Sequence, residues 1–160
     1  MRSSVLFILS LFSILVGQPS FTATSITTST NGAQSVYAVD MDGDGDMDVL
    51  SASILDDKIA WYENNGSESF TAATITSSAD EAHSVYAVDM DGDGDIDVLS
   101  ASHGDDKIAW YENNGSESFT AANINTSADG AYSVYAVDLD GDGDIDVLSA
   151  SRLDDKIAWY

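Results

Sequence analysis

The chain has 160 residues and a formal net charge of −23, with 28 acidic residues against five basic ones and no cysteine. That balance argues against nucleic acid and anionic membranes as partners, and without cysteine the fold must rely on packing and bound ions instead of disulfides. Fifteen of the acids are concentrated in three nine-residue runs.

Residues 1–17 read as a secretory signal peptide: Arg2 precedes a mostly apolar run from Val5 to Val16. That run is about twelve residues, where a membrane-spanning helix wants about twenty. Gly17 is the candidate cleavage point, although Leu15 before it is not small; an uncleaved anchor is the alternative. Cleavage gives a secreted, extracellular chain with no membrane insertion, in a compartment where calcium is millimolar and weak sites fill.

Phe21 to Thr24 aligns with a later strand at Phe70 and is predicted to be a strand itself. Ser35 to Val39 follows, rich in β-formers, and then the first acidic run, Asp40, Asp42, Asp44, Asp46 and Asp48, with Gly43 and Gly45 between them. At about 4 Å and an effective dielectric near 20, two like charges repel by roughly 4 kcal/mol. Such a loop splays unless a cation sits in it. Calcium takes six to eight oxygens in irregular geometry, and alternate Asp residues in a tight loop supply them. Asp40, Asp42 and Asp44 occupy positions 1, 3 and 5. Gly45 allows the bend that brings the main-chain carbonyl of Asp46 to the ion, leaving the Asp46 side chain spare, and Asp48 closes the cage.

An EF-hand would need Glu at position 12, where this chain has Ser51, Ser100 and Ser149; the flanking segments are strands, so the helix–loop–helix reading fails. A solvated acidic turn without an ion is the bland alternative. Magnesium keeps its waters and binds few carboxylates. With no Cys, and His only at 83 and 103, zinc has no plausible ligand set.

The run recurs as Asp89, Asp91, Asp93, Asp95 and Asp97, and again as Asp138, Asp140, Asp142, Asp144 and Asp146; Trp61, Trp110 and Trp159 keep the same 49-residue step. Calcium at about one ion per repeat follows. Residues 18–69, 70–118 and 119–160 are the three units, the third lacking its final strand. In the second unit the predicted strands are 70–76, 84–88, 97–102 and 107–111, joined by turn-forming segments. A period near 50 with four short antiparallel strands describes an all-β fold of propeller blades; the Trp and Tyr residues read as core. Asn65, Asn114 and Asn125 match glycosylation acceptors, the first two also reading as Asn-Gly turns.

The loop Asp-x-Asp-x-Asp-Gly-x-x-Asp between strands, followed by Val-Leu and a later aromatic strand, resembles the FG-GAP or VCBS repeat over about residues 19–160. The resemblance implies a calcium-binding propeller of the kind found in integrin α chains, some fungal lectins and many secreted proteins, with an extracellular protein or glycan as partner. Such propellers usually have seven blades, and this chain has material for three. One reading is a truncated product. The other is a homodimer in which two chains exchange end strands and complete a six-bladed ring.

Successive connections between antiparallel strands lie at opposite ends of a blade. The calcium loop and the Asn-Asn-Gly-Ser turn therefore share one edge, and the other two connections share the opposite one. Differences among copies fall on that second edge, at Gln34, His83 and Tyr132 and at Ile54, His103 and Arg152. They express either loop drift or a tuned recognition surface. No catalytic constellation is evident: carboxylates that hold a cation are ionised by it. The pairs Asp56-Asp57, Asp105-Asp106 and Asp154-Asp155, beside Lys58, Lys107 and Lys156, read as turn caps. The expected function is a secreted, calcium-stabilised binding or adhesion module that is not an enzyme. The alternative is a non-catalytic fragment of a larger secreted enzyme or adhesin.

Overall fold

A computed structural model describes residues 20–160; the signal peptide expected at 1–17 lies outside them. The described chain is all-β, with three antiparallel sheets that repeat every 49 residues or so. Sheet 1 has the order β1 (Ala33–Val39), β2 (Asp48–Ser53), β3 (Lys58–Asn64) and β4 (Phe70–Thr76). Sheet 2 repeats it with β5 (Ala82–Val88), β6 (Asp97–Ser102), β7 (Lys107–Asn113) and β8 (Phe119–Asn125). Sheet 3 has β9 (Ala131–Val137), β10 (Asp146–Ser151) and β11 (Lys156–Trp159), with no fourth strand among the described residues. The strand that opens the second sequence unit, β4, hydrogen-bonds back to β3 and completes the first sheet.

The strand-forming segments are rich in Val, Ile, Tyr, Ala and Ser. Central strands β2 and β6 are buried on both faces, whereas β4 and β8, carrying Thr, Ala and Asn, are exposed outer edges. The sheets stack in chain order, each first strand against the first strand before it, and Tyr37, Tyr86 and Tyr135 form a ladder along those strands with ring centroids 4.8 Å apart.

Two apolar seams hold the stack. In the first, Leu50, Ala52, Ile59 and Trp61 of sheet 1 meet Val85, Ala87, Val98, Ala109 and Tyr111 of sheet 2. In the second, Leu99, Ala101 and Ile108 meet Val134, Ala136 and Val147. Burying each Leu or Ile stabilises by about 1.5–3 kcal/mol. Backbone ties cross both seams at the turns. Asp57 Oδ1 accepts the Glu81 N–H at 3.0 Å and Asp106 Oδ1 accepts that of Gly130 at 2.8 Å. The Asp-Asp pairs thus do more than cap turns: the first Asp pairs with Lys58 or Lys107, and the second reaches the next sheet.

The strand expected at Phe21 to Thr24 does not form; those residues are irregular and Phe21 is exposed. Its counterpart β4 is a strand because β3 lies beside it, and among the described residues no strand edge precedes β1 to play that part. Thr24, Ile26 and Thr27 instead line a shallow cavity with Val49, Ser51 and Tyr62, on the outward face of sheet 1.

Candidate metal centre

Each acidic run is the connection between the first two strands of its sheet. Gly43 and Gly45 have φ of 76° and 97°, left-handed values that L side chains rarely adopt, with open space where a Cβ would stand. These glycines are needed for backbone conformation and not for close approach. The bend turns the loop amides onto its own carboxylates. Asp40 accepts from the N–H groups of Gly43 (2.9 Å) and Gly45 (3.0 Å), Asp42 from Asp44 and Asp44 from Asp46. The second and third loops repeat this pattern.

The outcome is three convergent oxygen sets. Asp40, Asp42 and Asp44 form one, Asp89, Asp91 and Asp93 the second, and Asp138, Asp140 and Asp146 the third, with ligand atoms in each within 4.8 Å of one another. Calcium–oxygen bonds of 2.3–2.6 Å put opposite ligands about 4.6–5.2 Å apart, so the spacing suits such an ion. The donors are all hard oxygens, which favours a hard divalent cation over a thiophilic one.

Asp48 and Asp97, expected to close the cage, stand outside the two clusters of three. Both are buried, and each is fixed by two main-chain donors: Met41 and Asn64 on Asp48, Met90 and Asn113 on Asp97. In the third loop Leu139 supplies the first N–H, no second one is found among the described residues, and Asp146 stands within the ligand group. Asp142 lies outside that group, as Asp46, Asp95 and Asp144 lie outside all three. The side chains of Asp46 and Asp95 fill the space that a Cβ on Gly66 or Gly115 would need. The acidic loop and the Asn-Asn-Gly-Ser turn therefore share one edge, as the alternation of connections requires.

Local electrostatics reflect crowding. Desolvation, followed by the neighbouring carboxylates Asp44, Asp48 and Asp40, pushes Asp42 above the ordinary carboxylate value despite the Asp44 N–H. Desolvation likewise raises Asp97, against the pull of the Asn113 N–H and the Trp110 indole. In Asp140 the Asp142 N–H pulls downward, but desolvation and nearby carboxylates leave it raised. Asp146 is held down by the Trp159 indole and the Leu139 N–H.

Asn64 and Asn113 are site residues that sequence reasoning missed. Beyond their N–H groups, their side-chain amides donate to the carbonyls of Met47 and Ile96 at 3.2 Å, pinning the ends of the first two acidic loops to the third strand. The available signal was the recurrence of Asn sixteen residues after the closing Asp. The second omission is larger. His83 and His103 converge with Glu81 at the opposite edge, ligand atoms within 4.8 Å, a grouping that the spacing of the two histidines did not suggest.

Asn65 and Asn114 head Asn-Gly turns, each side-chain oxygen accepting the N–H two residues on at 3.0 Å. No curated protein matches the chain. The FG-GAP-like repeat matches residues 40–100 and again 89–149, spanning every acidic loop and both seams. The repeated sheets, their acidic connections and this match agree, and the chain belongs to the FG-GAP-like repeat family.

Proposed function

We propose that the chain is a secreted, non-catalytic binding module whose acidic loops each hold one structural calcium ion. One observation carries the reading: the oxygen clusters sit between the first two strands of every sheet, and those of sheets 1 and 2 are tied to the third strand through Asn64 and Asn113. An ion there braces a sheet and leaves the opposite edge for recognition. That edge carries Gln34, His83 and Tyr132 with Ile54, His103 and Arg152, where the copies differ in the chemical type of the side chain. An extracellular protein or glycan is the partner proposed for it. Exchanging these residues between repeats tests the assignment: binding to a glycan array or a panel of extracellular proteins should change, and unchanged binding would remove the recognition role from this edge. Calcium titration followed by melting tests the structural role of the ions.

The ends of the stack favour a second element, a homodimer. Ile59 and Ile108 are fully buried by the following sheet, whereas Ile157 is 74% exposed; Val85 and Val134 are buried by the preceding sheet, whereas Val36 is 71% exposed. Among the described residues the two ends thus expose positions that the seams bury, the first of them lined in part by Thr24, Ile26 and Thr27. A second copy placed head to tail buries both, and a closed ring of two such chains has six blades.

A further inference from the structure

We infer that Glu81, His83 and His103 form a second metal site, chemically distinct from the acidic loops, that takes a divalent transition ion of the zinc type. The residues come from the connection before β5, from β5 itself and from the β6–β7 turn. One carboxylate with two imidazoles is a donor set for Zn2+ and its neighbours and a poor one for calcium. The His103 Nδ1 to Glu81 Oε2 distance is 3.1 Å, and the two imidazole centroids are 5.3 Å apart.

The backbone framework is common to all repeats. The N–H of His103 donates to the Glu81 carbonyl, as Ile54 does to Gly32 and Arg152 to Gly130. Only the side chains differ, and they differ together. Where the second repeat has Glu81, His83 and His103, the first has Gly32, Gln34 and Ile54, and the third Gly130, Tyr132 and Arg152.

Two local features show that this arrangement is accommodated at some cost. Glu81 has φ of 50°, in the left-handed region where the other copies use glycine. A Cβ on Gly32 or Gly130 would press on Leu55 or Leu153, within 3.0 Å, but the second repeat has Gly104 at the leucine position. The strained Glu and the compensating Gly thus occur together. His83 is the bulged residue in the pairing of β5 with β6, between Ala82 and Ser84, and a bulge re-aims its side chain. Tyr132 of the next sheet then stacks on the His83 ring at 4.4 Å and fixes its plane.

Arg152 is the cation nearby and is exposed; it weakens the site without closing it. Glu81 is half-exposed and His103 partly so, leaving further coordination positions to water or to a donor from a bound partner.

The chain has only two histidines, so in the untagged full-length protein the imidazole proton signals report this site alone. With calcium in excess, addition of Zn2+ should move both imidazoles together and saturate at one zinc per chain. Glu81→Gly and His83→Gln, which install the first repeat's residues, should each weaken binding at least tenfold, and Arg152→Ile should tighten it. Imidazole signals unmoved by millimolar Zn2+, histidines that titrate independently, or a folded Glu81→Gly variant that binds as tightly as the parent would overturn the site.

Discussion

Asp48 and Asp97 differ in kind from the carboxylates around them. Each satisfies two main-chain donors in the interior, so Asp97→Ala strands two buried N–H groups and should cost roughly 2–5 kcal/mol with or without calcium, read by urea denaturation. Asp42→Asn keeps the acceptor used by the Asp44 N–H and removes a charge that desolvation and its neighbours disfavour. It should weaken calcium binding in that loop at least tenfold by calorimetry while raising the melting point of the ion-free chain. The pH dependence has the same origin. For the raised carboxyls of Asp42, Asp97 and Asp140, the folded chain holds more protons than the unfolded one just above the ordinary carboxylate pKa, so stability falls as pH rises through that window. Asp146 and Asp56, lowered, oppose them, and His83, also lowered, makes stability rise with pH closer to neutral. With His83 replaced by Gln, the ion-free protein should therefore melt higher near about pH 5 than at neutral pH. The calcium-loaded protein should show the reverse, because protons compete for the ligand oxygens. Melting in chelator and in calcium across that range checks both signs.

The turns between second and third strands link one sheet to the next. Asp57, Asp106 and Asp155 all have φ between 52° and 57°, and among the described residues Asp57 and Asp106 reach an amide of a following sheet. Replacing Asp106 by Ala should cost about 2–3 kcal/mol, combining a lost hydrogen bond with left-handed strain. A loss below about 1 kcal/mol in chemical denaturation would refute the tie. The strands at Asp48, Asp97 and Asp146 were legible in the sequence because Asp-Gly punctuation precedes each and β-formers follow. The shared edge of the acidic loop and the Asn-Gly turn followed from antiparallel alternation. Phe21 was misread because its likeness to Phe70 records ancestry of sequence, whereas a strand also needs a neighbour to pair with. The Glu81 cluster was missed because twenty residues separate the histidines, and only the pairing of β5 with β6, together with a bulge, brings them together.

At the scale of the molecule, the described residues form two seams, and the two ends of the stack expose Val36 and Ile157 where the seams bury their counterparts. Light scattering in calcium should give twice the chain mass, and Ile157→Asp should return it to a monomer; a monomeric parent would contradict the paired ring. Each acidic loop joins the first two strands of its sheet, and in sheets 1 and 2 Asn64 and Asn113 tie it to the third as well. Calcium at ten times its dissociation constant contributes about 1.4 kcal/mol per site. Three filled sites then raise the melting temperature of a domain this size by roughly 10 °C. Thermal melting in millimolar calcium against EDTA at neutral pH is the most direct measurement. A calcium-dependent rise of that order is the predicted result, and coincident melting curves would contradict the assignment of the acidic loops as calcium sites.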